Sequence, residues 1–325
     1  MSPEKRKLGV MKQFRVLIGT LFTLLALWLV VCSVFGIVAA DWALHPTRRV
    51  PTHDDVERAK AIVTRDHASL ADVQVTAAGG VTLRGWIMRP VAVNGDAVIL
   101  LHGQSDNWSG LLPYADMLLR HGYEVVLPNA RGHGSSGGDL ATYGVKEAAD
   151  VRLWFDWVKK NDAPRCVDGL GESMGAGVLL QALRTTPGFC AVVAECSFAS
   201  FREASYDRLG ARIGGGAELG RTLLRPAVEA GFLYARWRYG VDLNQASPEE
   251  AVAQSRVPVL LIHGKLDTNL PPLHSELIMK RSAGRTPAVE LWEPADAGHT
   301  GAAGAEPQEF ERRVVAWFEG HDSPN

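Results

Sequence analysis

The stretch "LGESMGAG", residues 170–177, contains two overlapping glycine patterns that predict different chemistry. The first, G-x-S-x-G centred on Ser173, is typical of a strand-to-helix turn that presents a nucleophilic serine. The second, G-x-x-x-G-x-G ending at Gly177, is typical of a loop that holds a dinucleotide. Another G-x-S-x-G, "GSSGG" at 134–138, offers Ser136 as a rival serine.

The surroundings of these motifs decide between the interpretations. The short apolar strand "CVDGL" precedes Ser173 and the apolar helix start "AGVLLQAL" follows it, which is the context that a nucleophile elbow requires. A dinucleotide loop is expected after the first strand of its sheet, whereas several strands precede this one. The Tyr-x-x-x-Lys pair of short-chain dehydrogenases is also missing. "GSSGG" precedes "DLATYG", which is no apolar helix start, so we expect Ser136 in a mobile, glycine-rich loop.

From about residue 71 the chain alternates between short apolar runs and segments with helical spacing. The runs are Val81–Met88, Ala97–Leu101, Glu124–Leu127, Val167–Leu170, Ala191–Ala194, Val257–Ile262 and Ala288–Trp292. The helical segments are Leu111–Arg120, Lys146–Lys160, Ala176–Arg184, Leu273–Arg281 and Pro307–Glu319. The apolar runs do not alternate strictly between apolar and polar residues, which fits strands that are buried on both faces. The pattern therefore predicts an α/β fold with a mostly parallel sheet that helices cover on both sides.

Two segments depart from this alternation. Residues 41–70 are polar and charged, which suits a linker with one short helix. Residues 198–256 lack a convincing strand and are rich in aromatic residues and arginines, which predicts a helical cap over the carboxyl ends of the strands. Packing against the side of the sheet is the alternative. The formal net charge of −2, with no basic run beyond the N-terminus, argues against nucleic-acid binding.

A nucleophilic serine needs a base, and the base needs a group that orients it. The apolar run Val257–Ile262 is followed by a loop that carries Asp267, and the run Ala288–Trp292 is followed by a loop that carries His299. Both candidates therefore lie beyond strand carboxyl ends, where the serine also lies. The rivals are judged weaker from their positions. These are Asp296 as the acid and His102, His133, His263 and His274 as the base.

The oxyanion of such a reaction needs two N–H donors. The turn at Ser173 places the Met174 backbone N–H, at the start of a helix, beside the developing charge. The strand "AVILL" is followed by His102 and Gly103, and the turn after them can direct the Gln104 backbone N–H toward the serine.

The N-terminal segment is apolar enough to cross a bilayer. Residues 16–40 run without a charged side chain, which at about 1.5 Å per residue spans a hydrocarbon core of about 30 Å. Basic residues in 1–15 and Asp41 just after the run favour a cytoplasmic N-terminus and an extracytoplasmic remainder. A cleaved signal peptide, giving a secreted protein, is the alternative.

Four cysteines are too few for a disulfide-built scaffold. Cys166 and Cys190 each precede a predicted strand by a short step. If those strands are parallel neighbours, the two cysteines could meet and form a bridge in an exported domain. Two buried free thiols are the alternative.

In this order, "LHGQSDN", "NARGHGSSGG", "GESMGAG", "LLIHGKLD" and "AGH" resemble a serine α/β-hydrolase, especially the membrane-anchored group related to Bem46 and the ABHD12/13/17-type proteins. The resemblance covers about residues 71–320, and the hydrolase domain is taken as 71–325. It implies a sheet of about eight strands, an acyl-enzyme mechanism without a cofactor, and no metal. It assigns Ser173, Asp267 and His299 as the triad, with Gln104 and Met174 as oxyanion donors.

These expectations together predict a serine hydrolase of carboxylic ester or thioester bonds. A cap with aromatic residues and arginines near a membrane favours an acyl or lipid substrate. These residues are Phe198, Phe201, Tyr206, Phe232, Tyr234, Trp237, Arg202, Arg208, Arg236 and Arg238. Small soluble esters, a peptidase or amidase activity, and a non-catalytic binding protein on the same fold are the alternatives.

Overall fold

The structure of the protein is a computed structural model that describes residues 3–322, with side chains described from Met11 onward. The basic side chains at Lys5, Arg6 and Lys7 of the predicted cytoplasmic tail therefore lie outside the described part. Within it, one helix, Met11–Leu44 of α1, is long and apolar enough to cross a membrane.

Eight strands form one sheet, as the family resemblance implies, and seven of them (β2 to β8) correspond to the predicted apolar runs. They are β1 (Ala68–Ala77), β2 (Val81–Pro90), β3 (Ala97–Leu101), β4 (Glu124–Pro128), β5 (Val167–Glu172), β6 (Val192–Glu195), β7 (Val259–Ile262) and β8 (Val289–Trp292). Their order across the sheet is β1-β2-β4-β3-β5-β6-β7-β8. The six strands from β4 to β8 in this order are parallel, whereas β2 pairs antiparallel with both β1 and β4.

Twelve α-helices in the described residues surround this sheet. They are α1 (Pro3–Leu44), α2 (His53–Arg65), α3 (Leu112–Arg120), α4 (Glu147–Asn161), α5 (Met174–Ala182), α6 (Phe201–Arg212), α7 (Gly216–Arg221), α8 (Arg225–Tyr239), α9 (Pro248–Gln254), α10 (Leu273–Arg281), α11 (Ala302–Ala305) and α12 (Pro307–Glu319). The buried side chains of α4, α5 and α10 pack on one face of the sheet, and those of α2, α3 and α12 pack on the other. Strands β3 to β7 are buried along nearly their whole length, which explains why their sequences are apolar without alternation.

Strand order reverses at β3, because the chain moves from β3 to β4 on one side and then to β5 on the other. Open α/β sheets bind ligands in the crevice that such a reversal leaves at the carboxyl ends of the strands. Leu101, the last residue of β3, is in register with Gly171 of β5. The segments that follow these two strands therefore start side by side.

Two features of the fold lie outside the predicted elements. α1 continues past residue 40 to Leu44, and β1 starts at Ala68, inside the segment expected as a linker. β1 is an edge strand whose residues are exposed or half-buried except for Ala77, so its sequence lacks the apolar run that marks the buried strands. α2 is the short helix expected between them, and Thr52 caps it by accepting a hydrogen bond from the Asp55 backbone N–H.

Between β6 and β7 the chain forms α6, α7, α8 and α9 and no strand. This insertion corresponds to the segment 198–256, for which we predicted helices. α6 and α8 pack against each other, and α8 also packs along α1.

Candidate active site

Ser173 lies in the turn between β5 and α5, at the carboxyl end of a central strand. Its backbone has φ 51° and ψ −115°, a conformation that L-amino acids rarely adopt and that costs on the order of 1–3 kcal/mol. The surrounding structure fixes this turn, because the Ser173 N–H donates to the Glu195 carbonyl at 2.8 Å and the Gly177 N–H donates to the Ser173 carbonyl at 3.1 Å. The strain is the feature expected where a hydroxyl must be held above the sheet.

The glycines around Ser173 have the steric role that the turn requires. A Cβ at Gly171 would lie 2.7 Å from the backbone of Gly175, and a Cβ at Gly175 would lie 2.1 Å from the Leu101 carbonyl oxygen. Gly177 also has a specific role, since a Cβ there would lie 2.3 Å from the ring of Phe198. This contact crosses from α5 to the segment after β6, so local sequence could not reveal it.

Ser173, His299 and Asp267 form one hydrogen-bonded line. His299 Nε2 lies 2.8 Å from Ser173 Oγ, and His299 Nδ1 lies 2.6 Å from Asp267 Oδ2. These are hydrogen-bond distances for a base that contacts the serine through one ring nitrogen and the carboxylate through the other. The three residues come from the ends of β5, β7 and β8, which are separated along the chain but end at the same edge of the sheet.

The Asp267 carboxylate is buried and fully engaged. Its Oδ1 accepts hydrogen bonds from the backbone N–H groups of Asn269 and Leu270, while its Oδ2 faces both His299 and His263. Burial by itself would raise the pKa of Asp267, but hydrogen bonds from His263, His299 and Leu270 hold it well below its usual range. The carboxylate is therefore charged at any ordinary pH and can stabilise a protonated His299.

The two predicted oxyanion donors lie beside the serine. Gln104, Ser173 and Met174 line the same cavity. Within residues 3–322, neither the Gln104 N–H nor the Met174 N–H donates a hydrogen bond to another group. The first N–H groups of a helix have no partner within it, and Met174 is the first residue of α5, so this N–H is available to an anion.

Comparison with known protein families is consistent with the arrangement of Ser173, His299 and Asp267. The family model described as "Alpha/beta hydrolase family" matches residues 98–313, which is about two thirds of the chain. The chain belongs to the alpha/beta hydrolase family. The matched residues run from β3 into the first half of α12 and therefore include Ser173, Asp267 and His299.

Similar proteins support the assignment. The Bacillus subtilis protein YqkD is 28% identical over 213 residues, covering 65% of this hydrolase and 67% of its own length. The Pyrococcus furiosus esterase Pf2001 superposes with a TM-score of 0.68 at 23% identity, covering 87% of this chain and 99% of the esterase. An acylaminoacyl peptidase of Pyrococcus horikoshii superposes with a TM-score of 0.60 at 16% identity, covering 79% of this chain and 42% of the peptidase. At these identities the two structural likenesses indicate the fold alone.

The rival serine of this hydrolase is buried and engaged elsewhere. Ser136 is completely buried, and its Oγ donates to the Asn129 carbonyl at 2.7 Å and accepts from the Arg84 N–H at 2.9 Å. The prediction of a mobile loop is wrong for this segment. The guanidinium of Arg48 donates to carbonyl groups along it, including Gly138 O at 2.6 Å, so the loop is held by the chain that follows α1.

The other candidate histidines and the rival acid are accounted for by local contacts. Asp296 is exposed and the four histidines are buried. His102 accepts from the Ala130 N–H through Nε2 and therefore donates to the Gly103 carbonyl through Nδ1, and burial lowers its pKa to about 3. His263 contacts Ser275 Oγ and the Leu270 carbonyl through its two nitrogens. His133 contacts the Arg131 carbonyl, and His274 accepts from the Ala199 N–H.

Two carboxylates beneath the serine were not anticipated from the sequence. Glu195, at the end of β6, is completely buried, accepts from the Tyr114 hydroxyl at 2.9 Å, and accepts from the Ala302 N–H at 3.0 Å. It thereby joins β6 to the loop that carries His299. Glu172 precedes Ser173, and burial together with the nearby Glu195 raises its pKa to about 7. A carboxylate at the end of an otherwise apolar buried strand was the available signal for Glu195.

One group of side chains approaches the spacing of a metal site. Cys196, His263 and Asp267 place potential ligand atoms within 4.8 Å of one another. Two of the donor atoms are engaged elsewhere, because His263 Nε2 faces the Leu270 carbonyl at 2.8 Å and Asp267 Oδ2 faces His299 Nδ1 at 2.6 Å. Burial also raises the pKa of the Cys196 thiol, which keeps it protonated, so the group is poorly suited to a divalent cation.

A cavity of about 330 Å³ leads to Ser173. Aromatic side chains of the inserted segment line it, and Arg208 and Arg212 are its charged residues. The lining residues predicted among the cap aromatics are Phe198, Phe201 and Phe232. Some other residues of the predicted cap do not line the cavity. Arg202 forms an ion pair with Glu229, and Trp237 is 81% exposed.

Proposed function

We propose that this protein is a serine hydrolase that cleaves carboxylic ester or thioester bonds of acyl or lipid-like substrates. The observation that carries the proposal is the hydrogen-bonded line from Ser173 through His299 to Asp267, at a strained turn beside two unpaired N–H groups. Membership of the alpha/beta hydrolase family makes hydrolysis the expected reaction class. The apolar cavity favours an acyl chain over a highly polar substrate.

In the proposed mechanism, His299 Nε2 takes the Ser173 proton while Oγ attacks the carbonyl carbon. The backbone N–H groups of Gln104 and Met174 donate to the resulting oxyanion, and each such donor contributes about 10²–10³ in rate in other enzymes. As the tetrahedral intermediate collapses, the carbonyl double bond re-forms, the bond from the carbonyl carbon to the leaving oxygen or sulfur breaks, and the alcohol or thiol leaves with the proton from His299. Water activated by His299 then attacks the acyl-enzyme and releases the acid.

Asp267 orients and stabilises the histidine in this scheme. Its hydrogen bond with Nδ1 keeps the proton there, so that Nε2 is free to accept from Ser173. The negative charge that Asp267 retains stabilises the imidazolium formed in the first step. The reaction as proposed uses no cofactor and no metal.

We further infer that α1 anchors the enzyme, with a cytoplasmic N-terminus and an extracytoplasmic catalytic domain, as in the Bem46/ABHD12/13/17-like group. The length of α1 and the Cys166–Cys190 disulfide, which suits an oxidising compartment, support this placement. A secreted form after cleavage is the alternative. Release of the full-length protein from membranes by a carbonate wash would contradict the anchor.

A fluorophosphonate probe combined with peptide mass spectrometry tests the hydrolase proposal. We expect the probe to modify Ser173, and we expect Ser173→Ala to abolish both labelling and hydrolysis of p-nitrophenyl esters while leaving the melting temperature unchanged. Labelling of Ser136 instead would show that the wrong serine is assigned. Hydrolysis of p-nitroanilides but not of esters would favour a peptidase or amidase, and no modification at all would favour a non-catalytic binding protein.

A further inference from the structure

The cavity beside Ser173 has a wall that comes from outside the hydrolase domain. The last turns of α1 line it, with Phe35, Ala39 and Ala43 on the same helix face and Val38 and Trp42 beside them. From Phe35 to Ala43 this wall is about 12 Å long, at about 1.5 Å per residue. The predicted membrane anchor is thus part of the cavity that leads to the candidate nucleophile.

Close packing against α8 holds this wall in place. A Cβ at Gly36 would lie 1.9 Å from the Ala227 carbonyl oxygen, and a Cβ at Gly231 would lie 2.8 Å from the Gly36 carbonyl oxygen and 3.1 Å from the Ala40 Cβ. Each helix therefore contributes two small residues four positions apart at the crossing. This arrangement lets two backbones approach closely, as in associating membrane helices.

Hydrogen bonds fix the last turn of α1 to the catalytic domain. The hydroxyls of Tyr234 and Tyr239 on α8 donate to Asp41 Oδ1, at 2.9 Å and 2.6 Å. The Tyr143 hydroxyl, which belongs to another cavity-lining residue, donates to the Ala43 carbonyl at 2.7 Å. Leu44, the last residue of α1, is completely buried. The end of α1 is therefore an integrated part of the domain and not a flexible tether.

The depth of this wall follows from the length of the charge-free run. Counted from Val16, a hydrocarbon core of about 30 Å ends near Gly36. With α1 spanning the membrane as proposed above, the start of the cavity wall at Phe35 lies at the outer edge of this hydrocarbon core. The turn before α8 lies about 4.5 Å deeper along α1 than Phe35, because Cys32 Sγ contacts the Leu223 carbonyl at 3.9 Å, and the Leu223 side chain is 50% exposed.

The cavity opens just outside the hydrocarbon boundary, at residues of α1 that lie about 3 Å and about 9 Å beyond Gly36. Val38 and Trp42 line it and yet are 61% and 58% exposed, so its mouth lies beside α1. The guanidinium carbon (Cζ) of Arg212 on α6 lies 4.9 Å from the centroid of the Trp42 ring. Arg208 also lines the cavity, and it forms no ion pair with an acidic side chain within the described residues. Tryptophan and arginine are characteristic of the headgroup region of a bilayer.

We propose that the extracytoplasmic end of α1 forms one wall of the acyl-binding site, and that the substrate is an acyl ester of a lipid taken from the outer leaflet. The acyl chain passes between α1 and α6 and lies against Phe35 and Ala39, while the ester carbonyl reaches Ser173. This inference rests on the proposed hydrolase activity. It also requires that α1 is retained, since cleavage near Ala40 would remove most of the wall.

The test compares two tryptophan substitutions in the full-length enzyme. Ala39→Trp fills the cavity, whereas Val34→Trp places the same side chain on the exposed face of α1, where Val34 is 59% exposed and does not line the cavity. Burial of one methylene group is worth about 0.8 kcal/mol. In the wild type and in Val34→Trp, kcat/KM is therefore expected to rise by up to about fourfold for each methylene added to the acyl chain of the p-nitrophenyl ester, from acetate to octanoate. Ala39→Trp should lose this rise, so that the ratio of kcat/KM on octanoate to kcat/KM on acetate falls at least about tenfold relative to Val34→Trp.

The rate of fluorophosphonate labelling at Ser173 checks that each variant is folded. Phe35→Ala provides a second variant that enlarges the cavity, and we expect it to shift the preferred chain to a longer one. Identical chain-length profiles in Ala39→Trp, Val34→Trp and Phe35→Ala, with normal labelling, would overturn the α1 wall and leave the hydrolase proposal intact. A wild type that is neither labelled nor active on any ester would overturn both.

The lipid source is tested in vesicles. Full-length enzyme reconstituted in phosphatidylcholine vesicles that contain a monoacylglycerol should release free fatty acid, and Ala39→Trp should do so at least about tenfold more slowly than Val34→Trp. Hydrolysis of soluble esters without fatty-acid release from these vesicles would overturn entry from the bilayer.

Discussion

Replacing both Cys166 and Cys190 with alanine is expected to lower the free energy of unfolding by about 3.5 kcal/mol. The two residues are bridged, with 24 residues of sequence separation and Cα atoms 5.7 Å apart. The expected value is the loop entropy that a cross-link of this length removes from the unfolded chain. The two cysteines lie just before β5 and β6, which are parallel neighbours, so of the two alternatives that the sequence left open the structure has the bridge and not two free thiols.

Thermal melting of the full-length protein in detergent, with and without a reductant, measures this effect. For a domain of this size, a loss of 1 kcal/mol in the free energy of unfolding lowers the melting temperature by roughly 2–4 °C, so the double variant should melt roughly 7–14 °C below the wild type. Reductant should lower the melting temperature of the wild type to a similar value and leave the melting temperature of the double variant unchanged. Cys196→Ala, which removes a buried free thiol, is the matched control and should respond to reductant as the wild type does.

A thiol count on unreduced, denatured protein provides the refutation. The structure predicts two reactive thiols, from Cys32 and Cys196. Four reactive thiols, together with a melting temperature that reductant does not change, would refute the bridge. Such a result would also remove one of the two supports for an extracytoplasmic catalytic domain.

Two further predictions concern the charged groups around Ser173. Asp267→Asn should lower kcat by about 10⁴ with little change in KM, because the amide no longer fixes the His299 proton on Nδ1; a loss below tenfold in steady-state ester hydrolysis would argue against its orienting role. Glu172 binds its proton more tightly in the folded state, where burial and the nearby Glu195 and Asp106 raise its pKa from an ordinary 4.5 to about 7. The folded state therefore holds a proton that the unfolded chain has released between these pH values, and Glu172 makes stability fall, by up to about 3 kcal/mol, as pH rises through this window. Glu172→Gln should flatten the pH dependence of the melting temperature between pH 5 and pH 7.5, and an unchanged slope would contradict the assignment.

Local sequence was sufficient to predict the parallel part of the sheet. The buried strands β3 to β7 are apolar runs because both faces are covered, and turn or helix signals bound each run. The position of Ser173 followed from its strand–turn–helix context. The placement of Asp267 and His299 followed from the rule that parallel strands end at the same edge of a sheet.

The remaining features depend on contacts between distant segments. The burial of Ser136 requires Arg84 of β2, and the steric need for Gly177 requires Phe198 after β6. β1 escaped prediction because an exposed edge strand has no apolar run. The contribution of α1 to the cavity depends on its packing against α8, which lies about 190 residues later in the chain. None of these pairings produces a periodic signal in a single sequence.

The most direct test of the central claim is the identity of the residue that a fluorophosphonate modifies in the native, full-length protein. The proposed mechanism predicts one modified peptide, labelled at Ser173, and predicts that prior heat denaturation or His299→Ala abolishes the labelling, because the serine is activated only in the folded site. Modification of another serine, or labelling of Ser173 at the same rate in the His299→Ala variant, would contradict the claim that Ser173 is a nucleophile activated by His299.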